Sequence, residues 1–171
     1  MDNFGTKIWM QFENFLKLII FKILKLNISD NAWNTLIQFF KFGIVGASNT
    51  VIGYLIFAVT LKLLRLFGLW KFVDIYIAQF VMFVLSVAWS FYWNNKMVFK
   101  KQEGEKRNIW HLLIKTYMSY AFTSLFLAEI LLIFWVNVLG INEYIAPIIN
   151  LIITVPLNFI IQKLWAFKGA K

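Results

Sequence analysis

Two stretches of this chain set hydrogen-bonding side chains in surroundings that are otherwise apolar. One carries Ser86, Ser90 and Asn94; the other carries Asn150, Thr154, Asn158 and Gln162. Within each set the polar residues recur at every fourth position, the spacing that lines them up on one face of a helix. The sets are copies: Ser86, Ser90 and Asn94 match Thr154, Asn158 and Gln162 at a constant offset of 68 residues. The match extends over 90–99 and 158–167, and each copy ends in a cation, Asn94-Asn95-Lys96 in the first and Gln162-Lys163 in the second. Amide donors beside ammonium groups suit a phosphate or pyrophosphate headgroup. The same lysines would also serve as ordinary anchors at a membrane boundary. A polar group left unpaired in hydrocarbon costs on the order of 1 kcal/mol or more. The stripes therefore either glue helices together or line a wet cavity, and a pseudo-symmetric pair of them favours the cavity.

Other chemistry is sparse. There is no Ser/His/Asp set, no Gly-rich phosphate loop, no paired carboxylates and no metal-ligand spacing, so neither an enzyme nor a cofactor is expected. The single histidine, His111, stands beside Trp110 and reads as an interfacial anchor. Glu129 lies alone in the middle of an apolar run. A charge there is costly, so it is expected to be neutral and bonded to a neighbouring helix, with proton coupling as the alternative role.

The elements that must position these residues follow from composition. Of 171 residues 61% are hydrophobic, 15% are charged, and mean hydropathy is +0.71. A soluble domain of this size could not bury so much apolar surface, which indicates an integral membrane protein. The net charge of +9 sits between apolar runs, so it points to lipid headgroups and topology rather than nucleic acid. There is no cysteine, which excludes disulfides and thiol chemistry. No cleavable signal peptide is evident.

Residues 1–36 form an N-terminal segment, in which 8–26 is apolar but interrupted. Lys7, Gln11, Asn14, Lys22 and Lys25 share one helical face, as in an amphipathic helix lying in the interface. Ser29 and Asp30 then supply caps for a new helix. Residues 37–171 hold four spans, at about 42–61, 75–93, 117–138 and 144–162. Twenty residues at about 1.5 Å each cover the roughly 30 Å hydrocarbon core. The first span opens with Gly43, Gly46, Ala47, Ser48 and Thr50, with Gly53 one turn on. Such small residues let a neighbouring helix approach, and Asn49 could hydrogen-bond across that contact. Pro156 interrupts the fourth span. The fold expected is all-α and membrane-integral, a 2+2 parallel internal repeat with its pseudo-twofold axis along the membrane normal.

Cations set the orientation. Residues 1–41 carry five lysines, 94–115 six Lys and Arg, and the C-terminus three, against three in the loop 62–74 and none in 140–143. Both termini and the middle loop are expected on the cytoplasmic side. Trp70 and Trp135 would mark the outer interface, and Trp33, Trp93, Trp110 and Trp165 the inner one.

Between about residues 37 and 168 the chain resembles the GtrA-like family of small four-span membrane proteins. The resemblance is carried by Phe39-Phe40-Lys41-Phe42-Gly43-Ile44-Val45-Gly46 with Asn49, Gly53 and Tyr54, by Asn94 followed by Val98-Phe99, and by Asn158-Phe159 followed by Lys163-Leu164-Trp165-Ala166-Phe167. Gln162 stands where the family pattern has Asn, and Ser90 where Asn is frequent. The resemblance implies a flippase that moves a polyprenyl-phosphate-linked monosaccharide across the bacterial cytoplasmic membrane, for glycosylation of O-antigen, teichoic acid or other wall polysaccharides. Asn94, Asn95, Lys96, Asn158, Gln162 and Lys163 would meet the headgroup, with Asn49, Ser90 and Asn150 along the path. Val98, Phe99, Phe159, Trp165 and Phe167 complete the motif structurally. The partners expected are the lipid substrate, membrane lipids, membrane glycosyltransferases and a second copy of the chain, most simply as a dimer. A non-transporting subunit that recruits a glycosyltransferase and a small proton-coupled exporter are the other readings.

Overall fold

The computed structural model describes residues 3–23, 25, 27–101, 104 and 106–168. Positions 24 and 26 of the N-terminal run, positions 102, 103 and 105 of the polar loop, and Lys171 among the C-terminal cations lie outside the described residues. Every regular element among the described residues is helical, and the chain divides into two compact units, Met1–Phe40 and Lys41–Lys171.

In the first unit, α1 runs Asn3–Lys17 and widens into a π-helical stretch, Leu18–Ile23. Its polar face is exposed at Lys7, Gln11, Asn14 and Lys22, and apolar Met10, Phe15 and Ile23 are exposed as well. A helix uncovered on both faces suits the boundary between water and lipid. Ring contacts hold the unit together: Phe12 meets Phe40 edge-on at 5.4 Å, and Phe21 meets Trp33 at 5.6 Å. Ser29 accepts the backbone N–H of Ala32 at 3.3 Å and so caps α2, Asp30–Leu66, whose first turn holds Asp30 against the positive end of the helix dipole.

The second unit takes α2 from Lys41 onward, then α3 (Asp74–Val98), α4 (Ile109–Val138) and α5 (Ala146–Ala166). At about 1.5 Å per residue, the 25, 30 and 21 residues of α3, α4 and α5 can each cross the roughly 30 Å hydrocarbon core. The polarity is inverted relative to a soluble bundle. Ser86, Ser90, Asn94, Thr116, Ser119, Thr123, Asn150, Thr154, Asn158 and Gln162 are buried, while Phe80, Phe126, Leu151 and Ile152 are more than half exposed. Lipid makes this arrangement stable, because apolar side chains face hydrocarbon without cost and polar groups find partners inside.

Both copies of the repeat end alike. α3 closes with a π-helical turn, Asn94–Val98, and α5 with Gln162–Ala166. In each, the residue after the turn donates its N–H back to the turn's first carbonyl: Phe99 to Asn94 and Phe167 to Gln162, both at 2.8 Å. The copies interlock about a local pseudo-twofold. Phe91 stacks on Phe167 at 6.0 Å, and its symmetry mate Phe159 stacks on Phe99 at 5.9 Å. Phe99 and Phe167 themselves stack at 4.6 Å.

Connections are tied by long-range polar contacts. Arg65 Nε pairs with Asp74 Oδ2 at 2.8 Å across the α2–α3 turn, where Gly68 takes φ +63°. Arg107 donates to the Phe99 carbonyl at 2.6 Å and to Asn95 Oδ1 and the Lys100 carbonyl at 3.4 Å. A guanidinium at the end of α3 satisfies carbonyls that the helix cannot and complements its negative end. Arg107→Ala is expected to lower stability by about 1 kcal/mol, measured by denaturant titration in mild detergent, with no change in helix content.

Candidate functional site

The two polar stripes meet at the pseudo-twofold and bond to each other. Asn94 Nδ2 donates to Ser90 Oγ at 3.1 Å and reaches Gln162 Oε1 at 3.5 Å. Gln162 Nε2 donates to Asn158 Oδ1 at 3.3 Å. Ser90 Oγ is 2.5 Å from the Tyr120 hydroxyl, which brings in α4. Ser90, Asn94 and Gln162 have no exposed surface. A network this dry is a structural knot, and Asn94 Oδ1 is a buried acceptor with no partner among the described residues.

Above the knot the stripes open onto a cavity of about 400 Å³. Ser86 and Val87 of α3, Tyr120 and Thr123 of α4, and Thr154 and Asn158 of α5 form its inner wall. The near wall is α2, through Phe42, Gly43, Gly46, Ala47, Asn49 and Thr50. Gly43, Ala47 and Thr50 on α2, Ser124 on α4 and Leu151 on α5 are exposed lining residues. The mouth therefore opens between helices on the side of the bundle, where lipid would lie. Among the described residues no Lys, Arg, His, Asp or Glu lines it.

α2 stands off because of its small residues. A Cβ added at Gly43 or Gly46 would meet nothing within 4 Å, whereas one at Gly53 would meet Met82 and Ser86 at 3.6 Å. Of the small residues expected to admit a neighbouring helix, Gly53 does so, whereas Gly43 and Gly46 do not: they leave space. Phe42 against Phe159 at 5.5 Å and Trp89 Nε1 donating to Ser48 Oγ at 3.3 Å hold α2 on either side of the gap. Asn49, expected to bond across a helix contact, has a buried Oδ1 with no partner among the described residues. It faces the cavity.

The remaining candidates are placed as follows. Asn150 does not line the cavity; it accepts from Trp135 Nε1 at 3.0 Å and donates to the Ala128 carbonyl at 2.7 Å, tying α4 to α5. Lys96 is exposed, 5.5 Å over the rings of both Tyr92 and Trp93, and donates to the Tyr92 hydroxyl at 3.4 Å. Lys163 is half-buried over Phe159 at 5.8 Å, and Asn95 is half-buried against Arg107. The amide-and-lysine set is therefore divided: the amides Asn94 and Gln162 face inward, and the lysines lie outside the knot. Phe99, Phe159 and Phe167 are buried in the ring stack and Val98 is buried, while Trp165 is 41% exposed under Lys115. The expected bond from Glu129 to a neighbouring helix is absent. Its side chain is exposed, without a hydrogen bond among the described residues, and outside the cavity. Position 129 falls on the outward face of α4, whereas the buried hydroxyls Thr116, Ser119 and Thr123 mark the inward one. Glu129→Gln is therefore expected to leave the unfolding midpoint in mild detergent unchanged, as Ile130→Leu does.

Sequence reasoning passed over Tyr120, Thr123 and Arg107. The first two were readable: Thr116, Ser119, Tyr120 and Thr123 follow the three-and-four spacing of one helix face. Arg107 had no local signal, because its partners lie across a loop.

Four long apolar helices with polar side chains turned inward and a lateral cavity define a polytopic α-helical membrane protein. The family model described as GtrA/DPMS, transmembrane domain, matches residues 41–167, most of the chain, and the chain belongs to that family. It is thereby a membrane protein of the lipid-linked-sugar translocase family. No curated protein and no solved structure matches it.

Proposed function

We propose that the protein is a flippase that carries a polyprenyl-phosphate-linked monosaccharide across the bacterial cytoplasmic membrane to supply glycosylation of cell-surface polysaccharide or teichoic acid. The observation that carries this reading is the side-opening cavity between α2 and α3–α5, into which Asn49, Ser86, Thr154 and Asn158 are set. A flippase must shelter a hydrophilic head while the polyprenyl tail remains in hydrocarbon, and a lateral mouth permits both at once. The lining comes from the first half of the α2 span and the middles of α3, α4 and α5, so with both termini cytoplasmic the cavity would reach from the inner half of the membrane to its middle. Asn49, Ser86, Thr154 and Asn158 would hold the sugar. Asn95, Lys96 and Lys163 lie at the helix ends on the same side and would draw the phosphate to the boundary. A second copy of the chain would thicken the wall around the passing head.

The test is reconstitution. Purified protein in liposomes should accelerate transbilayer movement of a polyprenyl-phosphate hexose at least tenfold over protein-free vesicles. The dry knot of Asn94 and Gln162 favours a second reading, a subunit that recruits or stabilises a membrane glycosyltransferase through a rigid bundle. That reading gains if the reconstituted protein moves no lipid-linked sugar but raises the activity of a co-reconstituted transferase.

A further inference from the structure

The side of α2 that lines the cavity does not end with it. Gly43, Ala47 and Thr50 border the cavity, and Tyr54, Phe57, Leu61 and Arg65 follow at the same steps of three and four, so they continue one side of the helix. One turn beyond Thr50 this side opens into a second recess of about 410 Å³, whose border Ala58 and Lys62 complete. Its floor is apolar, and its far end carries the cations Lys62 and Arg65, which stand three residues apart and so are neighbours on the helix surface.

Both cations are exposed. Arg65 spends Nε on Asp74 Oδ2 at 2.8 Å, and Asp74 Oδ1 accepts the Ile75 N–H at 2.8 Å. The Arg65 Nη groups and the Lys62 ammonium have no hydrogen-bond partner among the described residues. Asp74 thus anchors the guanidinium by one edge and leaves its terminal donors to a ligand. Lys71 stands close by in the same turn, its Cε 3.7 Å from where a Cβ on Gly68 would be. Of the chain's 17 Lys and Arg, only Lys62, Arg65 and Lys71 fall in the loops expected outside, with Asp74 the one acidic residue of the loop 62–74. The inside bias of cations does not account for them. A phosphate does, because a guanidinium beside an ammonium matches its oxygens. Free phosphate would cover the cations alone, whereas a lipid phosphate also lays hydrocarbon on the apolar floor.

We propose that Lys62 and Arg65 bind the phosphate of a net-anionic lipid from the outer leaflet, with its tail along Phe57, Ala58 and Leu61. The proposal rests on the orientation with both termini cytoplasmic, and not on the movement of any lipid-linked sugar. Phosphatidylglycerol and sugar-free polyprenyl phosphate share this chemistry, and the test separates them.

Native mass spectrometry of the full chain released from detergent tests it, read as the affinity of the first lipid retained. The probes are phosphatidylglycerol, phosphatidylcholine with the same acyl chains, and polyprenyl phosphate. At least one of the two anionic lipids should bind about tenfold tighter than phosphatidylcholine, and the tighter of the two identifies the source. Lys62→Gln leaves the Arg65–Asp74 pair intact and should weaken that binding about fivefold, and Lys62→Gln/Arg65→Gln at least about tenfold. Lys101→Gln removes the same charge from the middle loop and should change it less than about twofold. Excess inorganic phosphate should not displace the lipid. Equal affinity for phosphatidylcholine overturns the proposal, as does an equal loss in Lys62→Gln and Lys101→Gln, or displacement by inorganic phosphate. Selective anionic-lipid binding by a protein that moves no lipid-linked sugar would leave the proposal standing and remove the flippase reading instead.

Discussion

Gly46→Phe is expected to abolish translocation while leaving the bundle folded. Gly46 lines the cavity on α2, and a side chain started there meets nothing within 4 Å. A benzyl group would therefore grow into the space where the sugar is proposed to sit. The backbone does not object, since glycine is the poorest helix former short of proline, by about 1 kcal/mol relative to alanine. The expected outcome is at least a tenfold fall in translocation rate with an unchanged unfolding midpoint in detergent. Gly53→Phe is the contrast. Its added atoms run into Met82 and Ser86, so loss of activity there should come with loss of stability. Wild-type translocation by Gly46→Phe would remove the cavity from the path.

The second large effect lies in the knot. Gln162→Leu is expected to cost about 2 kcal/mol, because it strands one buried acceptor and weakens a second buried group. Asn158 Oδ1 loses its donor, and Asn94 Nδ2 keeps only Ser90. Asn94→Leu should cost a similar amount by stranding Gln162 Oε1. The double variant Asn94→Leu/Gln162→Leu should be more stable than the sum of the singles implies, with coupling of about 1 kcal/mol, since replacing both partners leaves fewer orphans. A denaturant-titration cycle in detergent measures it. Strict additivity would mean that the 3.5 Å contact across the pseudo-twofold carries no energy.

What could be read without coordinates divides along physical lines. Four spans were legible because lipid demands long apolar runs whatever their neighbours are. The stripes were legible because Ser86, Ser90, Asn94 and their mates obey a helical period. The knot was half legible: inward polar faces imply partners, and the internal repeat implies that Asn94 and Gln162 are equivalent, but not that they touch. Glycine's role was ambiguous in principle. A missing side chain permits either close contact or open space, and Gly53 and Gly46 realise one each. Glu129 was misplaced because a lone carboxyl has no period of its own. Only the hydroxyls at 116, 119 and 123 show that position 129 turns outward. Arg107 and the π-helical ends of α3 and α5 depend on tertiary contacts no local pattern announces.

Occupancy of the cavity can be observed on a single thiol, because the chain has no cysteine of its own. Gly46→Cys places that thiol at the α2 wall, and a small water-soluble maleimide reports whether it can be reached. The expected result is modification of the unliganded protein in liposomes, slowed at least tenfold by saturating polyprenyl-phosphate hexose and not by sugar-free polyprenyl phosphate. Modification at the same rate with and without the lipid-linked hexose would show that the sugar does not enter beside α2.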